Sequence, residues 1–334
     1  MYVFANVRTL PKTTPHAERG ETPVKKGTLT EAARVCAFDG ALFFAPDAEK
    51  RKSFAGALAH VTELESGAPE TELTPTPGRK VGIEGGTNIG GLGERTLHLI
   101  LKYMAEPDKS FHEVKCDRFF ADIKRNGEIT EVQTRNFRAM RKKLEAFTSA
   151  QDGEEPLKVT VVHPIAESKT LIWVDPESGE LSGFRKSPKH ESIYGAFREI
   201  YALGDLLGRK NLSFVFPVLA CDEYKLKCGR SRDGKRFGAA RLNRIPTEYL
   251  GEYRFADGSD FARLLPEELR SEKITVKKAA ALLGLDARLA HSFLRSLCFA
   301  GCMRKCGKDG GGRADLYMYD NGTENEPKAT EEVK

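Results

Sequence analysis

The chain has 334 residues, of which 40% are hydrophobic and 30% charged, with a formal net charge of +5 at pH 7. That length suggests two domains, and no apolar run approaches the ~18 residues of a membrane-spanning helix, so an integral helical membrane protein is excluded. The opening residues, MYVFANVRTLPKTTPHAERGE, lack the apolar core and small-residue cleavage site of a secretory signal.

The seven cysteines are odd in number and form no CxxC pair. Free thiols in a reducing compartment follow, and the expected location is the cytoplasm, with no membrane partner.

Residues 1–80 are rich in Thr, Pro, Glu and Gly. They are expected to be poorly structured, with short helices near 31–36 and 48–64 and a linker over 66–80. From residue 89 the pattern sharpens. Gly90-Gly91-Leu92-Gly93 leads into a helix with Leu92, Thr96, Leu99, Ile100 and Tyr103 at helical spacing, ended by Pro107. This glycine run lacks the GK[ST] ending of a phosphate loop and has no apolar strand before it, so it does not read as a nucleotide fingerprint. Residues 112–116 read as a strand.

The stretch 118–134, RFFADIKRNGEITEVQT, is the most informative in the chain. Asn126-Gly127 between two alternating runs predicts a two-residue hairpin. The register then sets Arg125 opposite Glu128, Lys124 opposite Ile129, Ile123 opposite Thr130 and Asp122 opposite Glu131. Two carboxylates thus meet at roughly 5 Å between Cβ atoms, which destabilises a hairpin unless a cation sits between them. Gln133 points to the same face as Glu131.

A helix over 136–147 follows, with Phe137, Met140, Leu144 and Phe147 on one side. Arg135, Arg138, Arg141, Lys142 and Lys143 lie on the other. Residues 157–165 read as a buried strand, 169–174 and 181–185 as a hairpin, 192–207 as a helix, and 212–220 as an apolar strand that 223–227 continues.

From Lys225 to Arg244 there are eight basic residues, among them Arg230, Arg232, Lys235 and Arg236, against one acid, Asp233. This is an electrostatic footprint for phosphate, or else a solvated basic loop.

After residue 259 a second unit begins. Thr275 caps a short helix, Gly284 supplies a turn, and Asp286 caps a longer helix with Leu289, Phe293 and Leu297 inward. Two strands around a glycine-rich tip close it. Helix, turn, helix and β-wing make a winged-helix pattern over 259–320. Residues 275–319 hold eight basic residues and three acids. Arg288, His291, Ser292 and Arg295 are expected on the outward face of the second helix, and Arg304, Lys305 and Lys308 at the wing. Cys298, Cys302 and Cys306, with His291 nearby, also make a zinc site conceivable, although Cys298 reads as a packing position. Residues 321–334 form an acidic, disordered tail.

The order of elements resembles that of the PD-(D/E)XK nuclease superfamily, nearest its Holliday-junction-resolvase-like and small endonuclease members. A helix carries Glu94, a strand Asp122 and the next strand Glu131-Val132-Gln133, followed by a basic helix and a strand. The likeness spans roughly residues 85–165 and rests on a short, degenerate motif. It implies an α/β fold with an αβββαβ restriction-endonuclease-like core and a mixed sheet, occupying 85–258 with its basic extension. It also implies Mg²⁺- or Mn²⁺-dependent hydrolysis of DNA. Glu94, Asp122, Glu131 and Gln133 take the catalytic positions, and Asp122, Glu131, Glu94 and the Val132 carbonyl the metal. Gln133 stands where the motif has lysine, and Ala121 where it has proline before the aspartate. Arg135, Arg138, Arg230, Arg232, Lys235, Arg236, Arg288, Arg295, Arg304, Lys305 and Lys308 are the expected contacts to nucleic acid. The expected partners are DNA and, in a homodimer, a second copy of the chain. The alternatives are a DNA-binding regulator on a degenerate nuclease fold and a structural member of a larger assembly.

Overall fold

The computed structural model describes residues 43–66, 92–150, 155–175, 178–230 and 237–320, with backbone alone at 65–66, 92–95, 226–230 and 237–240. The expected helix at 31–36, the linker beyond Ser66 and the tail 321–334 lie outside the described residues.

The described chain begins with β1 (Phe43–Phe44) and α1 (Ala48–Ser66). Helix α2 (Leu92–Ala105) packs on α1 through Leu97, Ile100, Leu101 and Met104. Strands β2 (His112–Cys116), β3 (Phe119–Arg125) and β4 (Glu128–Val132) form an antiparallel meander. Its second turn has Asn126 at φ 52° and Gly127 at φ 78°. That left-handed pair matches the twist of the flanking strands. Arg125 at this turn reaches back to the buried Glu106, 2.6 Å away, and so ties the hairpin to the end of α2.

Helix α3 (Phe137–Thr148) buries Phe137, Met140, Leu144 and Phe147, as its spacing predicts. It crosses from β4 to β5 (Lys158–Val162), which are parallel. Pro164 then lacks the N–H that a ladder needs, and the chain resumes as β6 (Ile165–Val174) beside the same neighbouring strand. β7 (Leu181–Lys186) turns back on β6, and β8 (Leu212–Arg230) and β9 (Phe237–Phe255) form a long antiparallel pair. These nine strands make one mixed sheet, ordered β1-β9-β8-β5-β4-β3-β2, with β6 joined to β8 and β7 to β6. Val161 and Val162 are chain neighbours and so face opposite sides. They belong to different apolar clusters, so the sheet is covered on both faces.

Two expectations are corrected. Residues 192–207 are not one helix. They form a 3-10 turn (Ile193–Ala196), one turn of α4 (Phe197–Ile200) and a second 3-10 segment (Tyr201–Gly208), kinked where Gly204 takes φ 57° and ψ −130°. Nor are the described parts of the basic stretch a loop, because β8 and β9 each run for 19 residues. Pro246, the glycines and several register shifts break the alternation that would have revealed β9.

The C-terminal part has a 3-10 turn (Gly258–Leu264), α5 (Glu267–Arg270), β10 (Ile274–Thr275), α6 (Val276–Leu283), α7 (Ala287–Phe299), β11 (Met303–Lys308) and β12 (Asp315–Tyr319). The three strands pair as β10-β12-β11. Thr275 and Asp286 cap α6 and α7 by accepting the N–H of Lys278 and Leu289, and Gly284 ends α6 in the left-handed region, all as the sequence predicts. This part has no core of its own. Phe293 lies with its ring centroid 5.3 Å from that of Tyr194 and 4.8 Å from that of Phe197, within the main cluster. Among the described residues no helix is long and apolar enough to cross a membrane.

Candidate functional site

The β3–β4 ladder has the expected register, Arg125 with Glu128, Lys124 with Ile129 and Ile123 with Thr130, and its backbone pairing stops there. At the next position the two carboxylates take over. Glu131 Oε1 accepts the Asp122 N–H at 3.2 Å, and Asp122 Oδ2 accepts the Val132 N–H at 2.8 Å. Each acid thus satisfies a main-chain donor at the end of the ladder, which helps to fix its position.

Glu131 is almost wholly buried, and Asp122 is 15% exposed. Burial and then the Asp122 charge push the Glu131 carboxyl up to about 7, against the pull of Lys143. Lys143 Nζ lies 2.5 Å from Glu131 Oε2. Its spacing in the sequence predicts the outward basic side of its helix. The structure corrects that: Lys143 turns back over the sheet, its side chain is 19% exposed, and its ammonium supplies positive charge directly to the carboxylate pair. Arg141, beside it, donates to the Leu203 carbonyl and to Asp205.

His98 comes from the other side. Its Nε2 lies 3.8 Å from Asp122 Oδ2 with the side chain 30% exposed. Burial holds the imidazole below its ordinary value, opposed by Asp122 and helped by the charges of Lys102 and Lys143. His98 was not singled out from the sequence. The signal was available, since it is four residues after Glu94 and so on the same face of α2. The Glu94 side chain itself lies outside the described residues.

Gln133 does not join the carboxylates. Its side-chain amide donates to the Arg135 and Asn136 carbonyls, and its main-chain carbonyl lies 2.6 Å from Nδ1 of the buried His163. It shapes the loop in which Asn136 takes φ 59° before α3. Val132 is buried in the cluster shared with α1 and α2. Arg135 and Arg138 are exposed at the start of α3.

The other expected contacts are scattered. Arg232, Lys235 and Arg236 lie outside the described residues, as does the side chain of Arg230. On α7, Arg288 and His291 are exposed, whereas Ser292 is half-buried and Arg295 stacks on Phe299 with its guanidinium 4.9 Å from the ring centre. At the β11–β12 tip, Lys305 and Lys308 both pair with Asp315, at 2.8 and 2.6 Å, and Arg304 lies 3.9 Å from Asp320. The zinc possibility is not met. Cys302 is buried against the Gly258 and Ser259 carbonyls, Cys306 points to the Leu316 carbonyl, and the described residues hold no group of three or more His, Cys, Asp or Glu suited to a metal.

A family model described as a domain of unknown function, DUF8091, matches residues 95–256. This span runs from α2 to the end of β9 and contains Asp122, Glu131 and Lys143. No solved structure matches the chain. An uncharacterized protein of Treponema pallidum (strain Nichols) is 32% identical over 205 residues, covering 60% of this chain and 78% of the relative. The chain belongs to the same family as that Treponema protein.

Proposed function

We propose that this protein is a divalent-metal-dependent nuclease acting on DNA, built on an αβββαβ core of the PD-(D/E)XK kind, with residues 259–320 as a winged helix. The observation that carries the reading is the carboxylate pair. Asp122 and Glu131 are held together at the end of β3–β4 although burial and mutual repulsion push Glu131 up to about 7. Such a pair is an unfavourable structural element and a favourable cation site. The order α2, β2, β3, β4, α3, β5, with an antiparallel meander followed by a parallel β4–β5 pair, supports it. So does the order β10, α6, α7, β11, β12 in the C-terminal part.

The donors fit Mg²⁺ or Mn²⁺, because Mg²⁺ is commonly held by one or two carboxylates, with waters and substrate phosphate completing the shell. Asp122 and Glu131 would hold the ion, with Glu94 as a third carboxylate from α2 and the Val132 carbonyl beside them. When bound, the ion supplies an activated water at neutral pH and charge for the phosphoryl oxygens. The protein does the rest. The Val132 N–H orients Asp122. Lys143 provides the positive charge that Gln133 cannot, and can stabilise the charge that develops on the phosphate. Gln133 sets the loop that starts α3. Arg135 just before that helix and Arg138 in its first turn would meet backbone phosphates.

The Lys143–Glu131 ion pair also favours a second reading, a non-catalytic DNA-binding protein in which the ammonium has replaced the metal. Incubation of plasmid and branched DNA with the protein in Mg²⁺ and in Mn²⁺ separates the two. The first reading expects cleavage that Asp122→Ala and Glu131→Ala abolish. Cleavage that persists in both variants sinks the proposed site, and binding without cleavage in any divalent metal selects the second reading.

A further inference from the structure

The carboxylate pair is closed by the chain's own groups. Glu131 Oε1 accepts the Asp122 N–H, Asp122 Oδ2 accepts the Val132 N–H, and Glu131 Oε2 lies 2.5 Å from the Lys143 ammonium. A divalent ion between the two acids needs an oxygen of Glu131. The one that no main-chain donor holds is the one on Lys143. Charge makes the same demand. Two carboxylates and one ammonium leave one negative charge, and a divalent ion turns that into one positive charge, with two cations at one nearly buried carboxyl group. Nothing nearby offsets it, because Lys102 is itself held by Glu113 and the His98 imidazole is kept below its ordinary value by burial. The ion and the ammonium therefore compete for Glu131. Lys143 has somewhere to go. Its side chain is 19% exposed, and the ring centre of Phe147, one turn along α3, lies 5.9 Å from Nζ. Lysine carries its charge on a flexible stem, so the ammonium can swing off while the backbone stays in place. A phosphate of the substrate brings the negative charge that lets ion and ammonium coexist.

We propose that Lys143 gates the cation site: its ammonium holds Glu131 until a backbone phosphate of the DNA draws it off, so that ion and DNA load together. The proposal rests on the nuclease reading for the ion and for the polyanion. It goes beyond that reading by making metal affinity depend on the substrate. By linkage, the ion tightens DNA binding by the same factor as DNA tightens binding of the ion.

Mn²⁺ binding tests it, followed through the electron paramagnetic resonance of the free ion. The full chain is titrated alone and with nuclease-resistant phosphorothioate DNA, duplex and single-stranded. DNA is expected to raise the Mn²⁺ affinity of the parent. Part of any rise comes from phosphate oxygens touching the ion, so Lys143→Met is titrated in parallel. That part is common to both proteins and cancels in the ratio. The gate is expected to make the DNA effect about tenfold larger in the parent than in Lys143→Met. A second measurement needs no variant. Acetylation of Lys143 by an amine reagent, read by mass spectrometry of peptides, is expected to be slow in the metal-free protein, fast in saturating Mn²⁺ and slow again once DNA is added. An equal DNA effect in parent and variant, or labelling that Mn²⁺ leaves unchanged, overturns the gate and leaves the carboxylate site standing. Absence of Mn²⁺ binding in both proteins, with and without DNA, overturns the gate and the nuclease reading together.

Discussion

Replacing Lys143 by Met removes the ammonium from Glu131 and keeps most of the aliphatic stem, so it isolates the electrostatics of the candidate site. In the folded protein Glu131 keeps its proton up to about 7, against an ordinary value of 4.5. Protons are therefore bound more tightly in the folded state, and stability falls as pH rises from the lower to the higher value. Near pH 5 the folded carboxyl is neutral, Lys143 has little charge to balance, and the substitution should cost almost nothing. Near pH 8.5 Glu131 is ionised and relies on Lys143. Breaking a buried ion pair costs as much as about 3–5 kcal/mol, but the variant can escape by holding its proton. That escape costs about 1.4 kcal/mol for each pH unit above the parental value, so the expected loss near pH 8.5 is about 2 kcal/mol. Urea unfolding in EDTA at both pH values measures it. Equal losses at the two pH values, or a gain at the higher one, would refute the reasoning. Adding Glu131→Gln to Lys143→Met should erase the pH dependence.

Gly127→Ala places a Cβ at φ 78° and should cost about 1–2 kcal/mol in equilibrium unfolding, read as a lower urea midpoint. Phe293→Ala empties a fully buried position between Tyr194 and Phe197 and should cost about 3–5 kcal/mol. Because the C-terminal part shares the main core, calorimetry should show one transition moving down, and a separate early transition would contradict the shared core. Burial pushes the Cys221 thiol up to about 12 and that of Cys302 up to about 11. Both should react with a thiol reagent only on unfolding, and rapid labelling of either in the native protein, read by mass spectrometry of peptides, would show that burial to be wrong.

Much of the local structure is written in local chemistry. Asn126-Gly127 fixes a turn and with it a register, because few residue pairs tolerate two successive positive φ values. Thr275, Gly284 and Asp286 mark the ends of α6 and α7, because helix termini need donors and acceptors that their own ladder lacks. Asp122 and Glu131 could be brought together from the sequence for the same reason, since they lie across one short hairpin. The sequence does not carry the events that depend on distant segments. β9 is legible only as the partner of β8, because its pairing is non-local and broken by shifts. Lys143 looked like one more solvated cation on a basic helix, and only the packing of α3 across the sheet brings it to Glu131. His98 likewise arrives from a helix on the other side. Gln133, read as a member of the site, is instead drawn into the loop before α3 by the Arg135 and Asn136 carbonyls. The sequence by itself therefore determined the carboxylate pair and the turn that aligns it. The tertiary structure alone decided which charges surround that pair, because the partners of a buried charge are set by the elements folded over it and not by its neighbours in the chain.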